Sequence, residues 1–134
     1  MVTKIMKSKF KIIISLFIVS MMSTQVFSQI KSSKKLLRHV VVFKFNDSSS
    51  SEDVQNVADT FYALKKSVPQ IKDMEWGINN SPEQFNQGFT HCFIISFKSE
   101  KDLADYQNNA SHKAFQEVLK PHMEKVFVVD YWVK

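Results

Sequence analysis

Residues 89–97 read FTHCFIISF, a stretch with apolar side chains on both of its faces. In an extended chain successive side chains alternate, so Phe89, His91, Phe93, Ile95 and Phe97 share one side while Cys92 and Ile94 take the other. A strand with one face in water alternates apolar with polar; a strand apolar on both faces needs cover on both. The segment 38–45 (RHVVVFKF) has the same property, with Val41, Phe43 and Phe45 opposite Val40 and Val42. So does 126–133 (VFVVDYWV), where Val126, Val128 and Trp132 oppose Phe127, Val129, Tyr131 and Val133. These strands describe a sheet that must be covered twice.

The intervening segments supply cover for one side. Between 52 and 68 apolar residues recur at Val54, Val57, Ala58, Phe61, Leu64 and Val68, the 3.6-residue period of an amphipathic helix. Ser50 or Ser51 caps its start, Glu52 and Asp53 suit the positive end of the helix dipole, and Pro69 stops it. Residues 71–78 alternate through Met74, Trp76 and Ile78 as a strand, and the polar run 79–88 connects it to 89–97. Ser99 opens a second helix with Asp102 three positions on, an arrangement resembling a capping box. Its apolar face uses Leu103 and Tyr106, breaks over 107–110, and restarts at Ser111 with Ala114, Phe115, Val118 and Leu119. The order β-α-β-β-α-β is the ferredoxin-like α+β plan, a four-stranded antiparallel sheet with helices on one face. A lone domain of that kind would expose an apolar sheet face larger than soluble monomers tolerate. A second copy of the same sheet is the simplest cover, predicting a homodimer: a dimeric α/β barrel in which two sheets pack face to face around an aromatic-lined interior.

Ahead of this domain, residues 1–28 have the features of an export signal. Lys4, Lys7, Lys9 and Lys11 precede the apolar run 12–22, and Val26 and Ser28 stand where signal peptidase requires small side chains. An apolar run of that length is too short to cross a bilayer, and cleavage after Ser28 leaves no stable membrane anchor. The expected product is a secreted or periplasmic chain with a short linker, 29–35, and one domain, 36–134. Removing the leader takes the formal net charge of +5 down to about +1, because four of the eighteen basic residues leave with it. A strong electrostatic case for nucleic acid leaves with them. A single Cys excludes an intramolecular disulfide framework and a cysteine metal cluster. No Gly-rich phosphate loop or nucleophile elbow is present.

RHVVVFKF, the run 69–72 followed by Trp76-Gly77, Phe89-Thr90-His91, Asp102-Leu103 through Tyr106, His112, and Asp130-Tyr131 stand in the order found in the stress-responsive dimeric α/β-barrel (Dabb) family. The chain resembles that family over nearly all of its mature length. The resemblance implies the dimeric barrel and, by similarity to the family's polyketide cyclases, a cavity pair formed by Tyr106 and His112 that works without a cofactor. It also moves His39 and His91 toward the cavity wall. Two positions depart from the pattern: the helix break reads Asn109-Ala110-Ser111-His112 where the family often has His-Pro-x-His, and Phe61 replaces a cavity tyrosine.

Read for their own chemistry, these residues leave alternatives. An imidazole titrates near neutral pH, so His112 suits a general base, with Tyr106 as its hydrogen-bonding partner. The other reading puts His112 in the first turn after a Ser111 cap, facing water. His39 and His91 are isolated histidines on aromatic strand faces, where ordinary core histidines also occur. Phe61, Phe93 and Trp76 join them as candidate ligand contacts or as packing. None of the histidines has the short spacing of a metal-binding helix or loop, so no metal is expected. Asp130, alone on an apolar strand, is expected to orient a histidine, to pair with Arg38 or Lys44, or to face solvent. The expected function is binding of a small apolar or aromatic molecule in the barrel cavity; the alternative is a cofactor-independent lyase or cyclase using His112 and Tyr106.

Overall fold

A computed structural model describes residues 35–134; the leader and nearly all of the linker lie outside the described residues. The elements run β1 (Leu37–Phe45), α1 (Ser51–Ser67), β2 (Asp73–Ile78), β3 (His91–Phe97), α2 (Glu100–Asn108), α3 (Ala110–Leu119) and β4 (Met123–Trp132). All three strand pairings are antiparallel, and the sheet order β2-β3-β1-β4 is the ferredoxin-like arrangement.

Capping fixes where the helices begin. Ser50 accepts from the Asp53 N–H while the Asp53 carboxylate accepts from the Ser50 N–H, a complete capping box. Ser99 accepts from the Asp102 N–H at the start of α2. The third cap corrects the expectation from sequence: α3 starts at Ala110, and Asn109, not Ser111, is its cap, accepting from the Ser111 N–H at 2.8 Å. Asn109 serves α2 as well, donating its N–H to the Tyr106 carbonyl at 3.0 Å. One residue therefore closes one helix and opens the next.

The helices cover one face of the sheet. Val57, Phe61 and Leu64 of α1, Tyr106 of α2, and Phe115 and Leu119 of α3 are buried against Phe43, Phe93, Ile95 and Phe97. Phe61 and Phe115 stack with ring centroids 4.3 Å apart and planes 10° from parallel. Each fully buried phenylalanine contributes roughly 1.5–3 kcal/mol of transfer free energy, so this aromatic layer dominates the core.

The opposite face is open, as the strand patterns predict. Four cross-strand rows cross it: Asp73-Ser96-Arg38-Tyr131, Glu75-Ile94-Val40-Val129, Gly77-Cys92-Val42-Phe127, and Lys44-Lys125 at the far end. Phe127, Val129 and Tyr131 are 52%, 40% and 46% exposed there, so the single chain leaves an apolar face without cover.

Candidate functional site

The helix-covered face also holds a cavity of about 560 Å³. The sheet is four strands wide, but the helices approach it mainly at β2 and β3, α1 against β2 and α2 against β3, so the inner face of β4 forms a wall rather than a packed layer. Val126 and Val128 line that wall, Phe61 and Phe115 the apolar floor, and His39, Tyr106 and His112 one polar end.

His39 and Asp130 are register partners on β1 and β4, and His39 Nδ1 lies 2.6 Å from Asp130 Oδ1. A carboxylate accepts, so Nδ1–H is the donor, and in the neutral ring Nε2 carries the lone pair. His112 has the same tautomer for a similar reason: its Nδ1 lies 3.3 Å from the Gln107 carbonyl, which can only accept. Burial holds the His112 pKa below the ordinary imidazole value; the Gln107 hydrogen bond opposes this and nearby His39 adds to it.

Tyr106 lies between the two histidines. Its ring centroid is 4.3 Å from that of His112 and 5.9 Å from that of His39. The side chain is fully buried, yet its hydroxyl has no hydrogen-bond partner among the described residues. Burial drives its pKa far above the usual phenol value, which keeps the group neutral and able to donate. An orphaned buried hydroxyl is destabilising unless something supplies an acceptor, and this one lines a cavity.

The structure brings His39, Phe61, Tyr106 and His112 together and puts the other three candidates elsewhere. Trp76 stacks on Phe93 at 5.4 Å and on His91 at 6.0 Å, and His91 meets Phe45 edge-on at 5.1 Å. His91 Nδ1 lies 2.8 Å from the Thr90 hydroxyl, and burial lowers its pKa. Alternation assigns these residues to the correct face but does not say how far along the strand, or on which side of β1, the helices leave space. The cavity with the histidines lies within one protomer, on the helix side of the sheet.

Sequence reasoning underweighted Asp130. Its alternative partners face the other way: Arg38 donates to the Ser96 hydroxyl and Lys44 pairs with Glu124 at 2.8 Å, both from the open face of β1. The usable signal was the parity of positions 39 and 130 on neighbouring strands. Gln107, Phe115, Val126 and Val128 were not singled out as cavity lining. Among the described residues, no three histidine, cysteine or acidic side chains come close enough to hold a metal ion.

Comparison with known proteins places these features in a wider set. The model of the "Stress responsive A/B Barrel Domain" matches residues 37–133. The chain is 29% identical over 101 residues to the stress-response A/B barrel domain-containing protein HS1 of Arabidopsis thaliana, covering 75% of this chain and 93% of that one. It is 27% identical over 95 residues to olivetolic acid cyclase of Cannabis sativa, covering 71% and 94%. A solved dimeric protein of ferredoxin-like fold from Bacteroides fragilis superposes with a TM-score of 0.61 at 24% identity, over 73% of this chain and 96% of that one.

Proposed function

The chain belongs to the stress responsive A/B barrel domain family, and from that membership we propose that it is an exported homodimer whose protomers each bind a small apolar or aromatic molecule and move a proton on it without a cofactor. The observation that carries the reading is the buried, unpartnered hydroxyl of Tyr106, whose ring lies beside that of His112 among the residues lining a cavity with apolar walls and a charged mouth at Glu117 and Lys120.

Each group has a distinct role. The neutral Nε2 of His112 accepts a proton from a carbon next to a carbonyl, and the C–H electron pair moves toward the carbonyl oxygen. The Tyr106 hydroxyl, neutral and free of any partner among the described residues, donates to that oxygen as charge develops. His39, its Nδ1–H held by Asp130, offers a second acceptor for a ligand hydroxyl. Phe61 and Phe115 supply an apolar surface and no polar group at the floor. The enolate so formed would close on a second carbonyl of the same molecule in a cyclase, or expel a leaving group in a lyase. Olivetolic acid cyclase, similar to this chain over most of its own length, supports the cyclase form.

Homodimerisation is supported by the open apolar face and by the dimeric neighbour from Bacteroides fragilis. Export is supported by the basic and apolar composition of 1–28, with release to a secreted or periplasmic location after cleavage at Ser28.

Hydrogen–deuterium exchange at carbon tests the proposal. The mature protein is incubated in D2O with aryl ketones and β-diketones, and deuterium incorporation next to the carbonyl is read by mass spectrometry. Catalysed exchange lost in Tyr106→Phe and His112→Gln is the expected result. Retention of such compounds in native mass spectra with no exchange would reduce the function to binding.

A further inference from the structure

The open face carries a socket as well as a flat apolar surface. A pocket of about 440 Å³ is lined by Val42, Gly77, Phe89, Cys92 and Ile94, at the β2 end of the third row. Gly77 is its distinguishing element: a Cβ built there meets nothing within 4 Å, so the protomer itself has no need of glycine at this position. Gly77 also has no positive φ to require one. At the β4 end of the same row stands Phe127, 52% exposed, its ring edge-on to Phe89 of the socket at 6.5 Å between centroids.

Two-fold symmetry restricts how this face can meet a second copy. Rotation about an axis across the strands would exchange the first and last rows, setting Arg38 of one copy against Lys125 and the Lys44–Glu124 pair of the other, with cations in excess in a closing interface. Rotation about an axis along the strands keeps each row facing itself and exchanges its ends. Then β2 faces the partner's β4, the basic row lies over Asn79 and Thr90, and the acidic edge, Asp73 and Glu75, comes opposite the far ends of its own rows, Tyr131 and Val129, at the border of the interface. The Gly77 socket comes opposite the partner's Phe127. Sheets stacked this way lie about 10 Å apart, a gap that interdigitating side chains fill.

We propose that the dimer is formed by this second arrangement, with Phe127 of each copy seated over Gly77 of the other, so that two identical knob-and-socket contacts flank the axis. The inference rests on the homodimer proposed above and adds its register. It also gives the glycine a role, because any larger side chain at 77 would occupy the space the ring enters.

Moving the ring from one position to the other tests the register. Wild type, Gly77→Phe, Phe127→Ala and the double variant Gly77→Phe/Phe127→Ala are compared as mature chains by sedimentation equilibrium, with circular dichroism to establish folding. The expected result is a wild-type dimer, at least tenfold weaker association in each single variant, and recovery of most of the affinity in the double variant. Because a Cβ at 77 meets nothing within the protomer, a folded Gly77→Phe monomer is expected. A wild-type chain that stays monomeric would overturn the homodimer itself. A wild-type dimer unaffected by Gly77→Phe, or single-variant losses that add in the double variant, would overturn the seating of Phe127 while leaving the homodimer standing.

Discussion

Tyr106 and His112 lie with their rings 4.3 Å apart although six positions separate them. On an unbroken helix six positions correspond to about 240° of rotation, which would turn the two side chains to different faces. The Asn109 junction resets that rotation: α2 ends one residue before Asn109, α3 begins one residue after it, and both aromatic rings turn toward the same cavity.

Asn109→Ala is therefore expected to act on stability and site together. Loss of the cap costs about 1 kcal/mol, read as a lowered denaturation midpoint with unchanged m-value. Carbon-exchange activity should fall by more than the folded fraction does, because the first turn of α3 sets the position of His112. Asn109→Asp, which keeps the accepting oxygen, should recover both.

Tyr106→Phe should separate stability from function. The hydroxyl has no partner in the folded chain, so its removal is expected to leave thermal stability unchanged or raise it by about 1 kcal/mol. Exchange activity should nonetheless drop at least tenfold. A variant both less stable and fully active would contradict the assignment of this group to the ligand.

Asp130→Asn should disturb His39 without disturbing the fold. The Asp130 side chain is 40% exposed, and the stability loss should stay within about 1 kcal/mol. An amide can donate to Nδ1 as well as accept from it, so the fixed tautomer is lost. Proton NMR of the imidazole should show mixed tautomers in the variant and one in the wild type, with weaker retention of hydroxyl-bearing ligands.

The pH dependence follows from the two buried imidazoles. Burial holds both His112 and His91 below the ordinary imidazole value of about 6.5, so the unfolded chain binds protons that the folded chain refuses. Their contribution to stability is complete above that value and declines as the pH falls toward the lowered folded-state values. Urea denaturation between neutral and mildly acidic pH should show this decline, and His91→Gln/His112→Gln should flatten it. Exchange activity, which needs His112 neutral, should extend on its acid side below the range of a free imidazole.

The fold was legible in the sequence because its signals repeat. Parity along 38–45, 91–97 and 126–133 assigns both faces of the sheet, and the spacing from Val54 to Leu64 assigns the helix that covers one of them; Phe89, which parity put with His91, lies ahead of β3 and turns to the open face beside Phe127. The pairing of the conspicuous residues was less legible. Tyr106 and His112 are close in sequence and entered together, helped by the family resemblance. Asp130 and His39 meet only through strand register, which depends on a turn and a bulge near Lys44 and Phe45 that no single residue announces. Trp76 and His91 were candidates for the cavity because aromatic residues look alike in a core and in a binding wall. Their separation depends on where α1 to α3 sit, a tertiary fact. The cap at Asn109 was missed because Ser111 is an equally good capping residue, and only the backbone at 109, extended at ψ 138°, decides between them.

The hydrogen bond between His39 and Asp130 joins positions 91 residues apart, on the first and last strands of the domain. Every group that would act on a ligand is thus present long before the arrangement that lets it act. A chain still emerging from the ribosome, or threaded unfolded through a membrane, holds His39, Tyr106 and His112 but lacks the strand that orients the first and walls the cavity. The pocket is complete only when β4 is paired with β1. On the export proposed above, the chain would by this means stay inert toward whatever small molecules it meets before it folds.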